Sequence, residues 1–180
     1  KGPVVAMVLK FWGIETFDRR VGIQASKRSG RTWGAAALIA AMALNLQGIH
    51  LMIIGSGAFE VKELARCASA LMENHSQGRS LATRIDGDDG IHYTLYQQAA
   101  DEPMATHLHL ITEDFARSHW AGPEDMRVAN IVVFDGVHET VFVVRHSLSA
   151  PPITLSEVLQ EEGTEEIPDV SALQITEPQV

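Results

Sequence analysis

The chain has 180 residues, of which 46% are hydrophobic and 21% are charged, so it can bury one sizeable core without disulfide support. Its single cysteine, Cys67, excludes an internal disulfide and a zinc site made of cysteines, and it favours a reducing compartment. The longest apolar run, residues 34–44, is too short to span a bilayer, so we expect a soluble, intracellular protein that does not enter a membrane.

The negative charge is unevenly placed along the chain. The formal net charge is -9, and residues 151–180 hold seven acidic residues and no Lys or Arg. The first 150 residues are therefore nearly neutral, with 14 basic against 16 acidic residues. Five of those basic residues fall between Arg19 and Arg31, which predicts either a solvated basic surface or an anion site.

A strand, a helix, a second strand and a second helix are predicted in the first part of the chain. Residues 21–25 alternate apolar with small or polar side chains, and residues 35–46 form an alanine-rich segment that predicts a helix apolar nearly all round. Residues 50–54 predict the second strand, and residues 59–73 predict an amphipathic helix. This alternation is typical of a βαβ unit.

The rest of the chain predicts further strands and then an acidic tail. The strands are expected at residues 81–85, 91–97, 106–112, 128–134 and 140–145. The run before Asp135 is almost continuously apolar, as central parallel strands are. From Pro151 the sequence turns to Pro, Glu, Thr and Ser, with material for one short helix. We therefore expect a domain at residues 1–150 and an acidic, largely disordered tail at residues 151–180.

The segment A-S-K-R-S-G-R-T, residues 25–32, is one glycine and one lysine short of the phosphate-binding loop G-x-x-x-x-G-K-[ST]. Such a loop binds phosphate because a tight turn between a strand and a helix points backbone N–H groups and the helix N-terminus at one spot. Gly30 allows a close backbone approach, Thr32 supplies a hydroxyl for Mg²⁺, and Arg31 stands where the motif has its lysine. The phosphate-binding candidates are Ser26, Lys27, Arg28, Ser29, Gly30, Arg31 and Thr32.

A second element of such sites is a hydrophobic strand that ends in an acid able to hold Mg²⁺. The segment I-V-V-F-D supplies it at Asp135, so Thr32 and Asp135 are the predicted metal ligands. In active hydrolases a Glu often follows this Asp, but here Gly136 follows it. Glu139 is the nearby carboxylate that would substitute as a catalytic group, although a plain loop acid is the favoured interpretation.

The run FDRRVGIQASKRSGRTWGAAALIAAMAL resembles the phosphate-loop region of the large terminase subunits, the DNA-packaging motor ATPases of tailed phages and herpesviruses. The run WAGPEDMRVANIVVFDGVHE resembles the segment of the same family that leads to its metal-binding acid. The resemblance implies an α/β, three-layer P-loop (RecA-like) fold with a mainly parallel central sheet flanked by helices. It also implies that ATP and Mg²⁺ bind, and that Lys27 or Arg28 contacts the γ-phosphate, so that Arg28 joins Arg31 and Glu139 as a catalytic candidate.

By this resemblance the chain couples ATP hydrolysis to movement of double-stranded DNA, as a homo-oligomer that works with other motor or capsid subunits in the host cytoplasm or nucleus. DNA contacts of that kind are made mainly to phosphates. Arg31 and Gly136 differ from the family's residues at the positions tied most closely to hydrolysis. The alternative hypothesis is therefore a catalytically impaired pseudo-ATPase that acts as a structural or regulatory interaction module. A helicase-like ATPase would need further motifs that the sequence lacks.

Histidines and tryptophans form two further patterns in the sequence. His107 and His109 alternate along a predicted strand and so share one face, which would suit a metal, but no third ligand is evident and half-exposed strand histidines are the favoured interpretation. Trp12, Trp33 and Trp120 are expected to pack, and the family resemblance implies stacking on a nucleotide base as the alternative for Trp12.

Overall fold

The computed structural model describes residues 19–24, 30–74, 79–87, 90–97, 105–119, 128–145 and 149–160. These residues form seven strands and four helices. The strands are β1 (Arg20–Gln24), β2 (His50–Gly55), β3 (Arg79–Gly87), β4 (Gly90–Gln97), β5 (Thr106–Thr112), β6 (Ile131–Asp135) and β7 (Glu139–Val144). The helices are α1 (Arg31–Asn45), α2 (Ala58–Asn74), α3 (Glu113–His119) and α4 (Leu155–Leu159).

The seven strands form one mixed sheet in the order β1-β7-β6-β2-β5-β4-β3. Only β2 pairs in parallel with its neighbours, β5 on one side and β6 on the other. The other four pairs are antiparallel. The prediction of an α/β fold with a central sheet flanked by helices is confirmed, but the prediction of a mainly parallel sheet is wrong. The reason is that β3 with β4, and β6 with β7, are joined by short turns, which allow only antiparallel pairing.

Four strands end at the same edge of the sheet. Because β7 is antiparallel to both β1 and β6, those two strands run in one direction, which is also the direction of β2 and β5. Gly55 pairs with Asp135 on one side and with Thr112 on the other, and Gln24 pairs with Glu139. We call the edge where β1, β2, β5 and β6 end the carboxyl edge.

Two helices cover each face of the sheet, which gives three layers. Helices α1 and α2 pack on the first face, where small side chains such as Ala36 and Ala43 are fully buried and let α1 approach the strands closely. Helices α3 and α4 pack on the second face, together with the fully buried Ile153 and Val158. The two faces therefore carry separate hydrophobic clusters, as expected for a sheet that is buried on both sides.

The segment after residue 150 belongs partly to this fold. Helix α4 begins after Thr154, whose hydroxyl accepts a hydrogen bond from the Glu157 amide at 3.2 Å. Arg19 binds the same segment, through an ion pair with Glu157 at 2.8 Å and a hydrogen bond to the Pro152 carbonyl at 2.8 Å. The predicted domain boundary at residue 150 thus lies next to a packed element, and the predicted disorder of residues 161–180 falls outside the described residues.

The sequence did not predict α3, which follows β5 without a break. Thr112 caps it, since its hydroxyl accepts a hydrogen bond from the Phe115 amide at 3.1 Å. Among the described residues, no helix has the length and apolar character needed to cross a membrane.

Candidate functional site

A buried carboxylate lies at the centre of the carboxyl edge. The Asp135 side chain is 2% exposed, at the end of β6. Its Oδ2 accepts a hydrogen bond from the Thr32 hydroxyl at 3.0 Å, and its Oδ1 accepts one from the Thr140 hydroxyl at 2.7 Å. The structure thereby joins the first turn of α1, the end of β6 and the start of β7 at a single side chain.

Arg31 lies over the same carboxylate. Its Nε is 3.6 Å from Asp135 Oδ1, and its side chain is 16% exposed. Its Nη2 donates hydrogen bonds to the backbone carbonyls of Gly136 and Val137, the second at 3.1 Å. Within the described part of the chain, Nε is buried without a hydrogen-bond acceptor and Nη1 has no hydrogen bond to protein. The guanidinium is therefore held in place while part of its donor capacity is unused.

The entry into α1 depends on Gly30. This residue has a φ of 78°, in the left-handed region that glycine adopts readily, and its carbonyl accepts the Gly34 amide at 2.8 Å. No side chain caps the N-terminus of α1, and its first turn contains no acidic residue. A helix N-terminus with a cationic first residue and no acid in its first turn electrostatically favours a further anion beside it.

Four residues of the predicted loop, Ser26, Lys27, Arg28 and Ser29, lie outside the described residues. Their contacts with phosphate and the catalytic role of Arg28 stay predictions. Arg19 and Arg20, which belong to the same basic run, are turned towards α4, where Arg20 donates a hydrogen bond to the Glu157 carbonyl at 2.9 Å.

Glu139 is separated from the buried carboxylate by the sheet itself. Thr140 faces α1 and contacts Asp135, and adjacent strand residues point to opposite faces. The Glu139 carboxylate accordingly lies over β1, where its Oε2 would be 3.3 Å from a Cβ atom added at Gly22. This placement does not favour the catalytic role predicted for Glu139.

Gly136 occupies a crowded position. A Cβ atom added there would lie 2.7 Å from the Phe134 ring and 3.2 Å from the Glu139 carbonyl. A glutamate at position 136 would therefore require the half-buried Phe134 ring to move.

Thr140 is the functional candidate that the sequence reading missed. The signal was the short distance along the chain between the predicted metal ligand and the next strand. A three-residue turn after Asp135 creates a hairpin, and a hairpin places residue 140 directly opposite residue 135. The carbonyls of Gly136 and Val137 were also missed, because backbone acceptors leave no pattern in a sequence.

The residues predicted to hold magnesium do not fit that ion as they stand. Thr32 and Asp135 are in contact, but both carboxylate oxygens already accept hydrogen bonds from threonine hydroxyls, and the Arg31 cation lies beside them. Magnesium needs near-octahedral oxygen ligation at about 2.0–2.1 Å and would share this one carboxylate with a guanidinium.

A second cluster of titratable groups lies away from the carboxyl edge. We call His50, His92, His107 and His109 the histidine row. His50 pairs with His107 across β2 and β5, and His92 pairs with His109 across β4 and β5, so all four share the face that carries α3 and α4. The rings of His50 and His107 stack with centroids 4.6 Å apart, and the Nδ1 atoms of His92 and His109 are 2.8 Å apart.

The histidine row is a set of like bases and not a metal centre. No group of three or more His, Cys, Asp or Glu side chains in the described ranges has a geometry that could hold a metal ion. Burial, and secondly the proximity of His107, lower the pKa of His50. Its Nδ1 is buried without a hydrogen-bond partner among the described residues. The sequence reading found the shared face of His107 and His109, but not the two partners that neighbouring strands supply.

Trp33 differs from its expected packing, since it is 61% exposed in the first turn of α1. Val137, in the turn that binds Arg31, is also 61% exposed, and Phe59, in the first turn of α2, is 72% exposed. The carboxyl edge therefore has an apolar rim beside its charged centre.

Comparison of the chain with protein-family models, with curated proteins and with solved structures gives no match. The site geometry is therefore the basis for assigning a function.

Proposed function

We propose that this chain is a nucleotide-binding module of the P-loop, RecA-like type, similar to the ATPase domain of large terminase subunits, and that its carboxyl edge binds the phosphates of ATP. The observation that carries the proposal is the 3.0 Å hydrogen bond from the Thr32 hydroxyl to Asp135. These residues are 103 positions apart in the chain, and they belong to two different sequence motifs. A chance run of small and basic residues would not be expected to contact Asp135, which ends the apolar strand β6.

The electrostatics of the carboxyl edge also support an anionic ligand. The N-terminus of α1 lacks both a side-chain cap and an acid in its first turn, and the Arg31 guanidinium keeps unused donors there. Backbone N–H groups at a helix N-terminus and a nearby guanidinium together favour phosphate oxygens. The loop before α1 adds Lys27 and Arg28 in sequence.

Of the two activities predicted from the sequence, the non-catalytic one has the better support. Gly136 stands where active hydrolases often carry a glutamate, and the Glu139 carboxylate lies on the other face of the sheet. No other carboxylate among the described residues is recorded in contact with Thr32 or Arg31 besides Asp135. The module then binds nucleotide without efficient turnover and acts through partner subunits, as a structural or regulatory element.

An active terminase-type ATPase is the second candidate, because the Thr32 contact with Asp135 joins the two elements that such an enzyme needs. In that case ATP hydrolysis would drive double-stranded DNA, and the chain would work as a homo-oligomer beside other motor or capsid subunits.

Binding and turnover, measured side by side, distinguish the candidates. We expect ATP to bind, with a steady-state hydrolysis rate at the buffer background. Arg31→Lys alone should leave hydrolysis at background, and Arg31→Lys combined with Gly136→Glu should raise it. The double variant should also be made with Phe134→Leu, which makes room for the new side chain. Turnover by the unaltered chain would support the motor, and a lack of any ATP binding would overturn both candidates.

A further inference from the structure

We propose that Arg31, held by Asp135, is the resident cation of the phosphate site, so that the nucleotide binds without a divalent metal. This inference rests on the proposed nucleotide function and concerns how the same site recognises its ligand. The two predicted magnesium ligands, Thr32 and Asp135, are instead hydrogen-bonded to each other, and Arg31 lies beside them.

The Asp135 carboxylate already has hydrogen-bond and charge partners within the chain. Asp135 is almost completely buried, and two threonine hydroxyls donate to its two oxygens. Arg31 is the cation recorded within 4 Å of it among the described residues. A buried carboxylate needs a charge partner, and this one has a partner supplied by its own chain. Asp135 therefore acts as an anchor for the guanidinium.

The Arg31 guanidinium has a fixed orientation. Its Nε faces Asp135 at 3.6 Å, and its Nη2 is bound by the Gly136 and Val137 carbonyls. Nη1 has no hydrogen bond to the described protein atoms, so its two N–H groups are available. Arg31 is also the first residue of α1, so these donors lie at the same helix end as its free backbone N–H groups.

Asp135 and Arg31 together are neutral, and a Mg²⁺ ion bound by Asp135 would place its two charges next to a fixed guanidinium. A nucleotide triphosphate that meets Arg31 and the N-terminus of α1 instead finds N–H donors that are already oriented. Arginine suits this role because Nη1 can donate to phosphate oxygens while the other guanidinium nitrogens face the protein.

The test is calorimetric titration of the full chain with ATP, and separately with inorganic tripolyphosphate, in EDTA and in excess magnesium. We expect dissociation constants that agree within about threefold between the two conditions. Tripolyphosphate distinguishes phosphate recognition from recognition of the base. Binding that requires magnesium would overturn the inference and leave the nucleotide function standing, whereas no binding in either condition would overturn both.

One variant and one matched control assign the role to Arg31. Arg31→Gln should weaken binding in EDTA by about 10- to 100-fold, since it removes hydrogen bonds from a charged donor. Arg66→Gln makes the same change on the exposed face of α2, in a surface pair with Glu63, and should leave binding unchanged. Equal losses in both variants would show nonspecific charge attraction and would overturn the inference.

Asp135→Asn separates an anchor from a metal ligand. It keeps an oxygen and similar size while it removes the charge. In EDTA its affinity for tripolyphosphate should stay within about tenfold of the unaltered chain, because the remaining carbonyl contacts still hold Arg31. A large loss that appears only when magnesium is present would identify Asp135 as a metal ligand and contradict the proposal. Circular dichroism spectra of each variant confirm that it is folded.

Discussion

The carboxyl edge and the histidine row both bring polar side chains together on one sheet, but the two clusters differ in the hydrogen-bond and charge partners of those side chains. At the edge, opposite charges meet, and the Asp135 carboxylate accepts hydrogen bonds at 2.7 and 3.0 Å. In the histidine row, four like bases lie side by side, and the His50 Nδ1 is buried without a partner among the described residues. A buried carboxylate whose two oxygens both accept hydrogen bonds is rigidly held, and a row of bases is sensitive to protons. Function is therefore expected at the edge, and pH sensitivity in the row.

The largest expected effect is the loss of the carboxylate itself. Asp135→Ala leaves a mostly buried guanidinium without its counter-ion and two hydroxyls without their acceptor, so we expect it to lower the free energy of unfolding by about 3 kcal/mol. Urea denaturation measures this quantity. Glu63→Ala, which removes a carboxylate from an exposed pair on α2, is the control and should have little effect. Equal effects of the two substitutions would contradict the conclusion that Asp135 is held by buried contacts.

Two threonines offer a matched pair of substitutions, one in each region. Thr140→Val removes a buried hydrogen bond to a carboxylate and should cost about 2 kcal/mol of stability. Thr94→Val removes a weak contact of 3.4 Å to His107 at a half-buried strand position, and should cost less than about 0.5 kcal/mol. The comparison of the two urea midpoints is the measurement, and a greater loss from Thr94→Val would reverse the assignment of the two regions.

A third prediction concerns the backbone at the start of α1. Gly30→Ala should destabilise the fold by about 1 kcal/mol because the residue has a positive φ, although nothing lies within 4 Å of the added Cβ atom. Gly48→Ala makes the same kind of change at a φ of 63°, beyond the other end of α1. Only Gly30→Ala should also weaken ATP binding. A parallel loss of binding in both variants would point to general destabilisation instead of a local phosphate contact.

The smallest expected effect is the pH response of the histidine row. Because the folded-state pKa of His50 lies below its ordinary value of 6.5, the unfolded chain takes up a proton more readily. The stabilisation is fully present above that ordinary value and is lost as the pH falls below it. The loss attributable to His50 should be a fraction of a kcal/mol, since the ring is partly solvated. Urea denaturation at neutral and mildly acidic pH measures it, and His50→Gln should reduce the difference.

A stability that stays constant or rises as the pH falls below neutrality would contradict the expectation for His50.

Several parts of the fold could be predicted from the sequence because they depend on local patterns. The alanine-rich run gave α1, the apolar run before Asp135 gave β6, and their neighbours gave β2 and α2, all with shifts of a few residues. Helix α3 was missed because its seven residues are too few for a clear apolar period. Strand direction was missed for a different reason, since pairing across the sheet depends on contacts between distant segments.

In the candidate site, too, residues in local motifs could be predicted, but contacts between distant segments could not. Thr32 and Asp135 could be selected because each follows a recognisable motif, and the structure places their side chains in contact. The direction of the Arg31 side chain could not be predicted, because it depends on carbonyls that the turn after β6 exposes. Glu139 is close to Asp135 along the chain, but its side chain lies on the other face of the sheet. Closeness in sequence therefore did not predict closeness in the site.

The most direct test of the phosphate site is an NMR titration of the labelled chain with ATP, followed at backbone amides in both regions. We expect chemical-shift changes concentrated at Gly30, Arg31 and Thr32 and extending to Thr140, with the amides of His107 and His109 unchanged. Shifts that concentrate on the histidine row, or saturable binding that leaves Gly30, Arg31 and Thr32 unaffected, would contradict the account.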